Sequence, residues 1–297
     1  MRKLIPVLLL TMILLCTLSC TSKKTDQDLV VVTIYPYELL IRQLTGDSLQ
    51  VVTLIPPNAS PHTWSPKPSD LRALEDADLM ISNGLGLETH LQQTLSQAGD
   101  KHVSIATLIG MKEPVEDHDA EGTEHHEHEV NPHIWLSPQY LIKATVQLND
   151  ILQTRFPHLK TIINKNSIEL IQQLTAIHTQ IKTERGTFGD VALISYHDSF
   201  HYFVDDYDIR NLGSVQSSPG KEPTPQELKA LGKLIQENKI KAISVEPQME
   251  RRSAKVLAEE FNLKIVELDP LGNSLRPKPT SLLDVINTNW QNMKQGW

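Results

Sequence analysis

The chain has few of the residues that several common kinds of protein chemistry require. Only two of its 297 residues are cysteines, and both, Cys16 and Cys20, lie within the first twenty positions. The rest of the chain therefore forms neither an internal disulfide nor a thiolate metal site. Aromatic residues make up 5% of the chain, and 28 basic against 36 acidic residues give a formal net charge of -8. Because this balance offers nothing to a phosphate backbone, we expect no nucleic-acid partner.

The N-terminus has the pattern of a secretory signal peptide, which we assign to residues 1–19. Two basic residues precede an apolar run from Leu4 to Leu18, and this run is shorter than the roughly 20 residues that span a bilayer. Cys20 follows a small residue and precedes a polar stretch. We expect lipid attachment at Cys20, a tether over 20–28, and a membrane-anchored lipoprotein in the periplasm or at the outer cell surface. Plain secretion is the alternative.

The alternation of strand and helix patterns predicts the fold class α/β, with two lobes at 29–136 and 187–297. Continuous β-branched and apolar runs are typical of buried parallel strands. In the second half, Thr224 and Glu227 form a capping box that marks a helix start. We therefore expect a parallel sheet in each lobe. The strands predicted for the first lobe are Leu29–Tyr35, Leu49–Ile55, Leu79–Ser82 and Val103–Ala106, and Leu87–Ala98 is predicted to be a helix.

A helical segment over 137–186 separates the two lobes. From Leu159 to Ile181, apolar residues recur at spacings near three and four, the pattern of an amphipathic helix. A helix from about Pro157 to Arg185 would be roughly 40 Å long at 1.5 Å per residue, enough to reach from one lobe to the other. We expect this helix to be a single rigid connector.

An acidic segment rich in histidine interrupts the first lobe at 112–131. It contains His118, His125, His126 and His128 among aspartates and glutamates. Because charged and polar residues dominate it, we predict a solvated loop.

Three histidines and one aspartate stand where loops or predicted strands end. His62 and His133 belong to the first lobe, whereas His197 and Asp269 follow predicted strands of the second. Ligands of open α/β sheets bind outside the carboxyl ends of strands, so we expect these four side chains to face one cleft. Three neutral imidazoles and a carboxylate suit tetrahedral Zn²⁺. A single histidine in such a place is more often a hydrogen-bonded loop or core residue, so the prediction depends on the set.

Five short segments surround these four residues. They are Pro61-His62-Thr63-Trp64, Asn131-Pro132-His133-Ile134-Trp135-Leu136-Ser137-Pro138, Tyr196-His197-Asp198-Ser199-Phe200, Glu246-Pro247-Gln248 and Asp269-Pro270-Leu271-Gly272. Together they resemble the metal-binding receptors of ABC transporters, the ZnuA-like and TroA-like lipoproteins, over nearly all of the mature chain. The resemblance implies two α/β lobes joined by one rigid helix, with a metal ion bound by His62, His133, His197 and Asp269. It also implies delivery to a membrane permease powered by a cytoplasmic ATPase.

Two positions depart from the family pattern. Asn131 stands where these receptors usually have Asp, a change beside His133. His201 stands where a small residue is common, four positions after His197. On one helix, His197 and His201 could face the same ion, and the run His-Asp-Ser-Phe-His would echo the His-Glu-x-x-His motif of zinc hydrolases. We rank this zinc-dependent hydrolase last because the shortened carboxylate removes the expected general base, and we expect no enzymatic activity.

The resemblance favours Zn²⁺ as the transported ion and a monomeric receptor. A histidine at position 197 favours Zn²⁺ over Mn²⁺, because Mn²⁺ prefers more oxygen ligands. The histidines of 112–131 resemble the zinc-gathering loop of zinc receptors, which implies an accessory zinc contact; the alternative is an acidic loop whose histidines only titrate. His201 is a further accessory candidate, and its alternative is a helix-surface residue near the site. A manganese receptor, a surface adhesin lipoprotein and a receptor for a corrinoid or siderophore are the remaining alternatives.

Overall fold

The computed structural model of the chain describes residues 27–57, 59–112, 130–216 and 220–297. The predicted signal peptide and the lipidation site Cys20 lie outside these residues. So does most of the histidine-rich segment, including His118, His125, His126 and His128. Within the described ranges, no helix is long and apolar enough to cross a membrane.

The first lobe is built on a four-stranded parallel sheet. Its strands lie in the order β2-β1-β3-β4, and the inner strands β1 and β3 are almost entirely buried, as expected when helices cover both faces. The strands are β1 (Leu29–Val32), β2 (Gln50–Thr53), β3 (Leu79–Ser82) and β4 (His102–Ser104). The helices of this lobe are α1 (Tyr35–Thr45), α2 (Pro68–Asp76), α3 (Gln92–Gln97) and α4 (Ile105–Leu108).

Two successive helices, α5 (Pro138–Arg155) and α6 (Lys160–Arg185), separate the first sheet from the second along the chain. They pack against each other, and α6 also packs against α1. With 26 residues, α6 is about 40 Å long. It begins three residues later than the predicted connector because Pro157–Leu159 form a separate 3-10 turn.

The second lobe repeats the plan of the first. Its parallel strands lie in the order β6-β5-β7-β8, which is the same connectivity as in the first sheet. The strands are β5 (Ala192–Ser195), β6 (Arg210–Ser214), β7 (Ala242–Val245) and β8 (Lys264–Glu267). The helices are α7 (His201–Asp206), α8 (Pro225–Asn238), α9 (Arg252–Phe261) and α10 (Leu282–Lys294). The predicted capping box is present at the start of α8, where Thr224 and Glu227 each bond the backbone of the other.

Strand β2 is shorter than the predicted Leu49–Ile55, and two other strands end early because a helix begins there. The strand predicted to extend to Tyr35 ends at Val32, and Tyr35 opens α1 with Pro36 in its first turn, where the fixed φ of proline suits a helix. The strand predicted for Val103–Ala106 ends at Ser104. The Ser104 side chain accepts a hydrogen bond from a backbone N–H of α4 and so caps that helix.

The helix predicted for Leu87–Ala98 is also shorter than expected. The Glu88 carboxylate accepts hydrogen bonds from the backbone N–H groups of Asn83 and Gly84, at 2.8 and 3.1 Å. These bonds close a turn over 84–88. A 3-10 turn at Thr89–Leu91 follows before α3 begins.

One hydrophobic cluster extends through both lobes. It includes Leu40 of α1, Leu174 of α6 and Trp290 of α10, so one face of α6 is buried against elements of the two lobes. Two smaller clusters, one in each lobe, lie apart from it. The two lobes therefore share a core along α6.

Hydrogen bonds join the lobes on the side of α1 and α10. The Tyr35 hydroxyl donates to the carbonyl of Pro279 at 3.0 Å. The backbone N–H of Leu282, the first residue of α10, donates to Oε1 of Gln43 at 2.9 Å. Both bonds link α1 to the segment that leads into the last helix, so they fix the arrangement of the lobes together with the shared core.

Candidate metal centre

Three loops bring three of the predicted ligands together. His62 lies in a turn between β2 and α2, His133 directly precedes a 3-10 turn, and His197 lies two residues after β5. One nitrogen of each ring lies within 4.8 Å of the others. The ring centroids are 4.8 Å apart for His133 and His197 and 5.2 Å apart for His62 and His133. Two imidazoles of the first lobe therefore meet one of the second; these three residues are the histidine cluster.

The spacing of the two first-lobe rings matches the edge of a zinc tetrahedron. The Nε2 atoms of His62 and His133 lie 3.2 Å apart. Zinc–nitrogen bonds of about 2.0–2.1 Å place two tetrahedral nitrogen ligands about 3.3 Å from each other. The cavity beside the histidine cluster has a volume of about 10 Å³, which is room for one ion or water. A corrinoid or siderophore does not fit there, because organic ligands occupy cavities of roughly 300–1,000 Å³.

Burial keeps the first-lobe rings uncharged. Desolvation, assisted by the neighbouring His197, lowers the pKa of His62 from 6.5 to about 3. His133 is only 3% exposed, and burial is the main reason that its pKa lies well below the ordinary value. A metal ion binds the lone pair of a neutral imidazole. Near neutral pH these two rings are therefore already in the metal-binding protonation state.

Hydrogen bonds select the tautomers of His133 and His197. Nδ1 of His197 donates to Oε1 of Glu246 at 3.1 Å, and the Ser199 hydroxyl donates to the same oxygen at 2.7 Å. Nδ1 of His133 donates to Oδ1 of Asn131 at 2.8 Å. Carboxylate and amide oxygens only accept, so both rings carry their proton on Nδ1. Nε2 of His197 is left for a metal ion, whereas Nε2 of His133 lies within hydrogen-bond distance of Nε2 of His62 and would exchange that contact for the ion.

Glu246 is a functional candidate to which the sequence pattern assigned no role. It is 6% exposed and directly follows β7, which pairs with β5 in the second sheet. The signal that could have found it is an acidic residue directly after the apolar run 242–245. The role of Glu246 follows only from the strand order, which places the carboxyl end of β7 beside the loop of His197.

Asp269, the fourth predicted ligand, is not part of the histidine cluster. It is fully buried, and burial raises its pKa although its hydrogen bonds act in the opposite direction. Its carboxylate accepts hydrogen bonds from Nε2 of Gln248 and from the backbone N–H groups of Leu271, Gly272 and Ser274. The two residues that follow it line the cavity. Asp269 thus lies next to residues that line the cavity but outside the histidine cluster, and its role as a ligand stays a prediction.

His201 does not share a helix with His197, so that expectation is wrong. Helix α7 begins at His201, and His197 belongs to the preceding loop. The His201 ring contacts two carboxylates, Asp198 at 3.2 Å and Asp205 at 3.6 Å, and its bond to Asp198 raises its pKa. The geometry that a His-x-x-x-His hydrolase motif requires is therefore absent from this segment.

Known proteins match the chain over nearly its whole length. The ZnuA family, described as "Zinc-uptake complex component A periplasmic", matches residues 30–296. The zinc-binding lipoprotein AdcA of Streptococcus pneumoniae serotype 4 is 29% identical over 306 residues, which cover 99% of this chain. The same match covers 61% of AdcA, so the chain spans about three fifths of that relative's length.

A putative metal-binding protein of Thermotoga maritima is 33% identical over 245 residues, 82% of this chain and 84% of that protein. Among solved structures, a crystal structure of ZnuA superposes with a TM-score of 0.77 at 26% identity, over 91% of this chain and 99% of that one. These matches agree with the two-lobe fold and long helix described above. The chain belongs to the ZnuA family of zinc-uptake components.

Proposed function

We propose that this protein is an extracytoplasmic receptor that captures one Zn²⁺ ion between its lobes and delivers it to an ABC importer. His62, His133 and His197 hold the ion, and the partners are a membrane permease and its cytoplasmic ATPase. The observation that carries the proposal is the 3.2 Å separation of the His62 and His133 Nε2 atoms in a cavity of about 10 Å³. The family's description as a zinc-uptake component supports the direction of transport.

The donor set favours Zn²⁺ over Mn²⁺ and binding over catalysis. Three imidazoles suit Zn²⁺, whereas Mn²⁺ prefers more oxygen ligands and a higher coordination number. The proposal includes Asp269 as the fourth ligand. Its carboxylate would lose one of its hydrogen bonds when it binds the ion. A four-coordinate protein site leaves no open position at which the metal could activate water. We therefore assign no enzymatic role to the site.

Capture requires only local movement in this proposal. One face of helix α6 is buried in the core that the lobes share, and Tyr35 and Gln43 bond across the lobes. The two first-lobe histidines already have the spacing of zinc ligands. Such preorganisation reduces the ordering that binding must impose, which favours high affinity.

The proposal places the receptor on a membrane through lipid at Cys20, after removal of residues 1–19. AdcA, which matches 99% of this chain, is named a lipoprotein. Labelling cells with a radioactive fatty acid tests this part. Label is expected in the wild-type protein and absent from Cys20→Ala, and equal labelling of the two would contradict lipidation at this residue.

The experiment that tests the binding site is a zinc titration against a chromophoric chelator, with the mature protein and single alanine variants. His62→Ala, His133→Ala and His197→Ala are each expected to lower affinity by more than about a hundredfold, since removal even of a residue that supports a ligand costs about 10–100-fold. His90→Ala, which removes an exposed ring, and His178→Ala, which removes a ring bonded to Tyr207, are the controls. Both controls are expected to bind like the wild type.

Elemental analysis of the wild-type protein completes the test. One zinc per chain at the site is expected, and Mn²⁺ in excess should not displace it. Wild-type affinity in all three histidine variants would defeat the assignment of the site. Displacement of the bound zinc by Mn²⁺ would indicate a manganese receptor instead of a zinc receptor.

A further inference from the structure

Asn131 contacts the surroundings of two proposed zinc ligands at once. Its Oδ1 accepts hydrogen bonds from the backbone N–H of His133 at 3.0 Å and from Nδ1 of the same residue at 2.8 Å. Its Nδ2 donates to the carbonyl oxygen of Asp198 at 2.7 Å. Asp198 directly follows His197 in the second lobe. A single amide side chain therefore bonds a ligand of one lobe to the loop that carries a ligand of the other.

The backbone of Asn131 is attached to the same part of the second lobe. The Tyr202 hydroxyl donates to the Asn131 carbonyl at 2.8 Å. Tyr202 belongs to α7, five residues after His197, and its ring packs edge-on against Tyr140 with centroids 5.1 Å apart. The side chain and the backbone of residue 131 thus both bond to the segment 198–202.

We propose that Asn131 is a positioning residue that couples the two halves of the zinc site. It fixes the tautomer of His133 and ties that residue to the loop of His197, and so sets the separation of two ligands before an ion arrives. This inference rests on the proposed function. It adds a residue, a mechanism and a contact between the lobes that the ligand set alone does not contain.

The chemistry of the amide separates this role from that of a simple turn. An Asp at position 131 could accept both hydrogen bonds from His133, because these need only an oxygen acceptor. It could not donate to the Asp198 carbonyl, and its charge would face that oxygen instead. If Asn131 only stabilised the turn before His133, Asp would replace it without effect on the second lobe. If Asn131 couples the lobes, Asn131→Asp would remove the bond between the loop at 196–202 and the first lobe.

Amide hydrogen exchange of the zinc-free protein tests the coupling. Asn131→Asp and Tyr202→Phe are each expected to speed exchange in the segment 196–202 by several-fold, because each removes one bond across the lobes. Tyr140→Phe removes a hydroxyl from the neighbouring ring and keeps the ring pair, and Asn164→Asp makes the same charge change on the exposed face of α6. These two controls are expected to exchange like the wild type.

Zinc affinity and the visible spectrum of the Co²⁺-loaded protein provide the second measurement. Tyr202→Phe is expected to lower zinc affinity about fivefold, the effect of one hydrogen bond of about 1 kcal/mol. Asn131→Ala is expected to lower it about 10–100-fold and to shift the Co²⁺ absorption, because it also frees His133. Neither change is expected in Tyr140→Phe.

Wild-type exchange of 196–202 in both Asn131→Asp and Tyr202→Phe would overturn the inference. The inference would also be overturned if Asn131→Ala lowered zinc affinity and Tyr202→Phe did not. That result would mean that Asn131 acts on His133 only and does not link the lobes. A wild-type protein that binds no zinc would instead contradict the proposed function, so the two failures are distinguishable.

Discussion

Gln248 donates a hydrogen bond of 2.7 Å from Nε2 to Oδ1 of Asp269, the carboxylate that we propose as the fourth zinc ligand. Oε1 of Gln248 is buried and has no hydrogen-bond partner among the described residues, although Gln248 lines the cavity of the histidine cluster. We therefore expect Gln248→Ala to raise zinc affinity by up to about tenfold. A hydrogen bond to a charged group is worth about 1.5 kcal/mol, which corresponds to that factor.

The control for this prediction is the same substitution in a second background. In Asp269→Asn the oxygen no longer carries the charge that would bind zinc, so Gln248→Ala should bring no gain there. Chelator competition measures the four proteins of the cycle, and circular dichroism verifies that each is folded. An equal gain in both backgrounds would show that Asp269 is not the ligand that Gln248 restrains.

The fold could be predicted from the sequence where the local pattern and the burial agree. β3 has the predicted bounds Leu79–Ser82, because four consecutive apolar or small residues are buried on both faces of the sheet. Helix α8 begins where Thr224 and Glu227 predicted, because the capping box is a local signal. The convergence of the three histidines agrees with the rule that ligands of open α/β sheets bind outside the carboxyl ends of the strands, although only His197 follows a strand closely.

The remaining features depend on contacts that no local pattern encodes. His197 and His201 have helical spacing, but Glu246 accepts hydrogen bonds from both His197 and Ser199, which holds the first of these residues in a loop. The bond from Asn131 to the Asp198 carbonyl joins residues 67 positions apart. Such contacts require the strand order and the lobe arrangement, so the partners of the ligands could not be predicted.

The stability of the zinc-free protein should fall as the pH is lowered from 7.5 to 5. The pKa of His62 is about 3 in the folded protein and 6.5 in the unfolded chain. Below pH 6.5 the unfolded chain therefore binds a proton that the folded protein excludes, and stability is lost toward pH 3. The expected slope is about 1.4 kcal/mol per pH unit for one such group, and His133 acts in the same direction.

Urea unfolding at several pH values measures this slope. His62→Gln should make it shallower, because the substitution removes one of the excluded protons. His90→Gln, on the exposed surface, should leave it unchanged. An identical slope in wild type and His62→Gln would mean that the His62 ring is not desolvated in solution.

Glu246→Gln should lower zinc affinity about 10–100-fold, the usual effect of weakening the group that orients a metal ligand. The amide oxygen still accepts from Nδ1 of His197, but the negative charge that strengthens His197 as a donor is lost. Glu250→Gln, an exposed position four residues later, is the matched control. Chelator competition should separate the two variants, and equal affinities would show that the charge of Glu246 does not act on the site.

Glu184→Gln should lower the free energy of unfolding by about 1 kcal/mol without changing zinc affinity. Oε2 of Glu184 in α6 accepts hydrogen bonds from Lys294 at 2.6 Å and Trp290 at 2.8 Å in α10. The bond from Lys294 foremost, then the bonds from Gln180 and Trp290, lower the pKa of Glu184 from 4.5 to about 2. The stabilisation is therefore complete above pH 4.5 and is lost as the pH falls toward 2.

Thermal unfolding at neutral pH measures this effect, with an expected decrease in Tm of about 2–4 °C. Glu169→Gln, on the exposed face of α6, is the control and should unfold like the wild type. A wild-type Tm in Glu184→Gln would show that the contact between α6 and α10 depends on the apolar core alone.

The position of α6 between the lobes limits how this protein could serve as a fluorescent zinc sensor. Helix α6 packs against both α1 and α10, so we expect the distance between the outer surfaces of the two lobes to change little when the ion binds. A dye pair attached to those surfaces would keep nearly the same energy transfer with and without the ion. A useful probe would carry its dye on the turn at 61–63 or on the loop at 196–200, where occupation of the site changes the surroundings of the label.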